Sequence, residues 1–236
     1  MSLYIWSHNL SSGILKAMPR QEKVEALVLS RRNIGEADRL VTFFTWQRGL
    51  MRVVAKGVRR IPSRRGGHLE PITKVIATVG GSPERSYLAT IETSDYLSIL
   101  HNNREALAAA HVVGSAAVHL FEYGTPYPKV FEAMGYAWEN FARYRLPRRH
   151  LLEAAVLMLM LREAGVMPGI GELAEAGVSL SGRAYALWQH VCAEPRQALV
   201  AEAKDESDEV AQAVRQYLAY AFPLRAAPHQ PAGAVY

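Results

Sequence analysis

Cysteine is almost missing from this chain: Cys192 stands alone among 236 residues. One thiol closes no internal disulfide and builds no cysteine-rich zinc site, so a reducing compartment is expected. Long apolar runs are missing too. Residues 151–161 form the longest nearly unbroken one, yet it holds Glu153 and stops far short of the roughly 20 residues a bilayer span requires. The opening MSLYIWSHNLSSGILKAMPRQEK lacks a cationic head leading into a continuous apolar stretch, which argues against a secretory signal. A cytoplasmic protein without a membrane partner is expected. Catalytic signatures are equally scarce, with no Walker A sequence, no GxGxxG after a strand, no GxSxG elbow and no HExxH. The usual reasons to propose an enzyme are therefore gone, and none of these patterns calls for a cofactor.

One further absence is local. Residues 48–65 contain no acid, while Arg48, Arg52, Lys56, Arg59, Arg60, Arg64 and Arg65 all fall there. The net charge of the whole chain is only +5, so placement matters more than total. Half the residues are apolar and about a fifth are charged, which is ordinary for a globular protein, and the length suits two domains. The basic stretch runs from an apolar strand into a loop holding Gly57, Pro62, Gly66 and Gly67, where the backbone can approach a polyanion closely.

Around this stretch the period is that of strands. VEALVLSR (24–31), RLVTFFT (39–45), LMRVVAKG (50–57), PITKVIATV (71–79) and SYLATIETSDYLSI (86–99) are short and rich in β-formers. Turns at Asn33, Gly35 and Asp38, at residues 47–49 and at residues 80–83 separate them. In the fifth strand, alternation puts Tyr87, Ala89 and Ile91 on one face and Leu88, Thr90 and Glu92 on the other. Five such strands suit a small closed barrel of the OB type.

After residue 99 the period changes to about 3.6. Asn102 or Asn103 can cap a helix whose one side carries Leu107, Ala110, His111, Gly114, Val118 and Phe121. Pro128 begins a second with Val130, Phe131, Met134, Ala137, Trp138 and Phe141. Pro147 opens a third, apolar almost all round and hence central. A helical pattern resumes at residues 183–191, a short helix follows near residues 196–203, and the last begins at Ser207. Residues 1–21 show no period; they are expected to be an extension lacking order, or an arm docked through Leu3, Tyr4, Ile5 and Trp6, and Met18 is an alternative start. Residues 223–236 are expected to be a flexible tail.

IGEADRLVTFFTWQRGLMRVVAKGVRR (34–60) followed by SRRGGHLEPIT (63–73) resembles the N-terminal OB domain of the bacterial recombination mediator family RecO. The likeness is specific over residues 24–95 and architectural beyond them. The resemblance implies an α+β fold, with a five-stranded OB barrel at residues 22–100 followed by an all-helical domain at 101–222. It implies binding of single- and double-stranded DNA, annealing of complementary strands coated by single-strand-binding protein, and RecA loading together with RecR, at the nucleoid. It implies a contact with the acidic C-terminal tail of single-strand-binding protein. Many members of the family carry four cysteines as a zinc site; residues 166–192 here offer only Cys192, so no zinc is expected.

Within this frame the candidate phosphate contacts are Arg31, Arg32, Arg39, Arg52, Lys56, Arg59, Arg60, Arg64 and Arg65, since guanidinium forks grip phosphate oxygens and can lie on bases. Trp46, at a turn, is the candidate for base stacking, whereas Phe43 and Phe44 point to opposite faces and favour core roles. Lys129, Arg143, Arg148 and Arg149, with Arg145, around Phe131 and Trp138 are the candidate notch for the acidic tail. Glu36 and Asp38 are read as a turn cap with ion pairs to Arg39 or Arg32, and not as a metal pair. His111 and His119 are read as packing or surface residues, and Cys192 as a buried, inert thiol. The competing functional classes are an interaction adaptor of the repair machinery with little DNA binding, and a hydrolase built on an unrecognised pocket.

Overall fold

The computed structural model describes residues 21–59, 66–82, 85–95 and 97–223. The expected extension at 1–21, apart from Gln21, and the expected tail at 223–236, apart from Pro223, lie outside the described residues, as do Arg60, Arg64 and Arg65.

Among the described residues, five strands, β1 (Glu22–Ile34), β2 (Asp38–Thr45), β3 (Gly49–Ala55), β4 (Thr73–Ser82) and β5 (Arg85–Asp95), close into a barrel in the order β1-β2-β3-β5-β4, with β4 returning to β1. β3 and β5 pair in parallel and the other pairings are antiparallel. This is the five-stranded OB barrel. A 3-10 turn, Gly66–Leu69, lies between β3 and β4. Strand parity fills the interior with Val24, Ala26, Val28, Val41, Phe43, Met51, Val53 and Ala55 on the first three strands, and with Val75, Ala77, Val79, Leu88 and Ile91 on the last two. Simple alternation in the fifth strand does not hold. Thr78 pairs with Thr90 but Val79 with Leu88, so a bulge at Ala89 turns Leu88 to the same side as Ile91. A second bulge, between Val28 and Ser30 in β1, re-aims the strand just before its two arginines.

Eight helices follow among the described residues: α1 (Ser98–His101), α2 (Arg104–Leu120), α3 (Pro128–Asn140), α4 (Arg148–Glu163), α5 (Ile170–Glu175), α6 (Gly182–Ala193), α7 (Pro195–Ala198) and α8 (Ser207–Ala221). Asn103 caps α2 by accepting from the Ala106 amide at 3.0 Å, and Pro128 takes the first turn of α3, where it loses no hydrogen bond. The buried face of α2 is carried by Ala106, Ala109, Ala110, Val113 and Ala117; His111 is exposed, and Leu107 and Val118 are half-buried. Small residues let α2 lie close to its neighbours, and α4, buried from Leu151 through Leu161, sits among α2, α3, α6, α7 and α8. Residues 166–192 hold α5 and nearly all of α6, pinned where both the Ser181 amide and its hydroxyl donate to the Glu209 carboxylate on α8. Among the described residues, no group of three or more His, Cys, Asp or Glu side chains is placed to hold a metal ion, and no helix is long and apolar enough to cross a membrane.

Barrel and helices share a core. The outward-facing Leu27, Leu29, Phe44, Leu50 and Ile72 of the barrel pack into the same cluster as Phe121, Phe131 and Trp138. The helices thus cover one end of the outer β1-β2-β3 face, and among the described residues the other end is left open.

Candidate nucleic-acid interface

At the end of the barrel away from the helices, two loops are tied together. The Asp38 carboxylate at the start of β2 accepts from the Gly57 amide at 2.8 Å, so Asp38 caps across to the loop leaving β3. The Arg59 amide donates to the Ala37 carbonyl at 3.0 Å, and its guanidinium donates to the Gly35 carbonyl at 3.0 Å. Gly35 and Gly57 both have positive φ, +57° and +67°, which suits glycine in these two turns.

This arrangement brings three of the candidate cations together. Arg31 pairs with Glu70 at 2.6 Å and Arg39 approaches the same carboxylate at 4.0 Å. Burial pushes the Arg39 guanidinium below its ordinary range, and repulsion from Arg31 and Arg59 adds to this, against the pull of Glu70. Two guanidinium groups, Arg31 and Arg39, therefore meet the Glu70 carboxylate at the barrel mouth, with Arg59 close enough to Arg39 to repel it and Lys56 exposed on the adjoining loop. A surface on which cations outnumber their neighbouring acids favours an incoming anion.

Arg32 and Arg52 are not part of that cluster. Arg32 stands opposite Leu40, and Leu40 opposite Val54; Arg52 stands opposite Thr42, which pairs with Ser30. These positions have the parity opposite to Val41 and Val53, so both arginines lie on the outer face, about 12 Å apart from strand spacing and rise. Arg52 lies over the Tyr123 ring, 4.6 Å from its centroid. Sequence reading misses both Tyr123 and Glu70: Tyr123 is far from the basic stretch, with only the turn residue Gly124 hinting at a loop there, and Glu70, five residues after Arg65, carries no pattern that marks it as a partner of Arg31. Arg48 serves the hairpin, pairing with Glu22 at 2.6 Å, while its amide donates to the Thr45 hydroxyl at 3.0 Å.

Trp46 is half exposed but sits edge-on to Phe131, ring centroids 5.9 Å apart, in a cleft of about 480 Å³ between barrel and α3. Glu25, Glu132 and Glu139 line that cleft together with Lys74, which pairs with Glu139 at 3.6 Å.

The candidate notch for an acidic tail is not assembled in one place. Phe131 and Trp138 are core residues. Lys129 pairs with Glu163 at 3.2 Å at the start of α3, and Arg143 lies past its end, about 20 Å away along a 13-residue helix. Arg148 donates to the carbonyls of Ala198 and Leu199 and stacks 4.8 Å from the Tyr144 ring centroid; Arg149 is buried and paired with Glu105. Arg143 and Arg145 are exposed beside Arg148. His111 and His119 are exposed. Cys192 is half-buried, its thiol 3.8 Å from the Met167 sulfur and pushed up to about 11 by burial, so it stays protonated and unreactive at neutral pH.

Comparison with known proteins matches residues 18–99 to the family described as "Recombination protein O N terminal". A Thermobifida fusca protein named DNA repair protein RecO is 30% identical over 171 residues, 69% of this chain and 68% of that protein. A Nocardioides protein of the same name is 61% identical over 51 residues, which span 22% of this chain and 21% of the relative.

Proposed function

Since the chain belongs to the RecO family of DNA repair proteins, we propose that it is a DNA-binding recombination mediator that works by charge neutralisation and not by covalent chemistry. The cluster of Arg31 and Arg39 on the Glu70 carboxylate, with Arg59 beside Arg39, carries this reading. Two phosphate backbones repel each other; a surface that holds both lowers that cost and lets complementary strands anneal. Arg32, Arg52 and Lys56 extend the cationic surface, and Arg60, Arg64 and Arg65 supply further phosphate contacts from the same loop.

Residues 22–100 are the DNA-binding unit in this proposal and residues 101–222 the partner-binding unit. The latter meets the acidic tail of single-strand-binding protein, and of the candidate notch only the end near Arg143 and Arg148 offers clustered charge. Lys129 stands apart from that end, and Arg149 acts inside the fold. Recruitment to coated DNA raises the local concentration of the annealing surface. Together with RecR, the chain helps load RecA onto the uncovered strand, in the cytoplasm at the nucleoid.

Annealing of complementary strands coated by single-strand-binding protein tests the proposal. The wild-type chain accelerates it, and DNA affinity falls with salt by a log–log slope of about 0.7 per single-strand phosphate contacted. Neutralising Arg31, Arg39 and Arg59 together abolishes the acceleration. A chain that captures the coating protein through its tail but shows no salt-dependent DNA binding is the adaptor instead.

A further inference from the structure

We propose that Tyr123, with the Arg52 guanidinium laid over its ring, is a nucleobase-stacking site for single-stranded DNA that the helical part of the chain contributes to the barrel's outer face. The inference rests on the DNA-binding reading above and assigns the stacking role to a residue outside the barrel.

Three observations carry it. First, the Tyr123 backbone is fixed. It bridges to Gly49 and Leu50 on the β2–β3 hairpin, and the next amide, Gly124, donates to the Leu50 carbonyl at 3.0 Å. The loop closes on itself where the Phe121 and Tyr127 rings lie 4.3 Å apart. Second, the side chain is open, with 43% of Tyr123 exposed despite that clamp. A large aromatic held on ordered backbone and left half in water is suited to receiving a flat ligand. Third, its neighbours are the right ones. Arg52 lies 4.6 Å from the ring centroid, and Arg32 continues the same face across β2. A guanidinium plane stacked on a phenol can bind a phosphate at its edge and a base on its face. The β2–β3 face is also where OB barrels receive oligonucleotides.

Trp46 is the poorer stacking site on electrostatic grounds. It borders the cleft lined by Glu25, Glu132 and Glu139 against the single lysine Lys74, which pairs with Glu139, so the cleft lacks the excess of cations that the Arg52 side of the barrel offers to a strand's phosphates.

The test is binding of a fluorescein-labelled oligothymidine to the full chain by anisotropy, at several salt concentrations, for Tyr123→Ala, Tyr123→Phe, Trp46→Ala and Arg52→Ala. Tyr123→Ala is expected to lose about tenfold in affinity, the scale of one stacked base, with the salt slope unchanged. Tyr123→Phe retains binding, Trp46→Ala matches wild type, and Arg52→Ala lowers both affinity and salt slope. Affinity for a blunt duplex, whose bases are already stacked, changes little in Tyr123→Ala, which separates lost stacking from general damage. If Tyr123→Ala binds oligothymidine like wild type while the Arg31, Arg39 and Arg59 variant is weakened, this assignment alone is overturned. If the wild-type chain shows no salt-dependent binding, the DNA reading fails and takes the assignment with it.

Discussion

Phe43 and Phe44 are neighbours on β2, both are fully buried, and they belong to different cores. Phe43 fills the barrel. Phe44 points the other way into the helices, with ring centroids 5.8 Å from Phe121 and 6.4 Å from Phe131. Strand parity thus makes β2 the wall between two packed interiors.

Alanine at either position removes a large buried ring and is expected to cost about 3–5 kcal/mol. The two losses should differ in kind. Phe43→Ala weakens the barrel itself, whereas Phe44→Ala loosens its attachment to α2 and α3. Urea unfolding followed by far-UV circular dichroism for the helices and by a fluorescent probe on the barrel distinguishes them. Phe44→Ala should separate the two transitions and Phe43→Ala should shift barrel loss to lower urea. Identical, coincident curves for both variants would contradict the division.

Glu70 should act as a brake on DNA binding. Its carboxylate occupies Arg31 at 2.6 Å and holds Arg39 nearby, so a phosphate must compete with it. Glu70→Gln is expected to raise affinity for oligothymidine several-fold at low salt and to steepen the salt slope, while altering stability by no more than about 1 kcal/mol, as exposed ion pairs do. A weaker-binding Glu70→Gln would mean that the carboxylate organises the arginines and does not mask them.

Much of this architecture is legible in the amino-acid sequence. Five strand patterns with turns between them lead to the barrel, and the Asn103 cap and Pro128 mark helix starts, because local propensity and tertiary packing agree there. The buried face of α2 is harder to read, because alanine carries little hydrophobic signal even where it is the contact. The β5 alternation fails at Ala89 because a bulge adds a residue that no periodicity announces. For the site, the arginines are visible but their grouping is not: whether Arg31 and Arg32 face the mouth or the outer wall depends on the bulge between Val28 and Ser30. Tyr123 is invisible to pattern, since it reaches Arg52 only through the clamp between two distant turns.

That clamp has its own test. Gly49 has φ +58°, and a Cβ placed there would lie 1.8 Å from the Thr125 carbonyl oxygen, so the residue is required both for the turn and for the approach of the α2–α3 loop. Gly49→Ala is expected to cost more than about 1 kcal/mol and to displace the loop. Oligothymidine affinity should then drop alongside Tyr123→Ala, and the two substitutions together should weaken binding no further than one alone. Additive losses would separate the loop's position from Tyr123.

Glu153 gives a pH dependence of predictable sign. It is 1% exposed on the central α4, with its carboxylate 3.4 Å from the Arg215 guanidinium on α8. Burial pushes this carboxyl from 4.5 up to about 7, against the attraction of Arg215 and Arg149, with Asp208 adding to the rise. The folded state therefore holds a proton that the unfolded state releases between those values. The stability this group contributes is complete below about pH 4.5 and is lost as pH rises through about 7. Glu153→Gln cannot ionise, so its advantage over wild type should grow across that window, approaching about 3 kcal/mol by the linkage of 1.36 kcal/mol per pH unit. His150 pairs with Asp208 at 2.9 Å, and burial lowers its proton affinity, which gives the opposite slope in both proteins. It cancels when variant and wild type are compared at the same pH. Urea midpoints measured from mildly acidic to mildly basic buffer therefore isolate Glu153, and a difference that stays constant with pH would show that its carboxyl is ionised throughout.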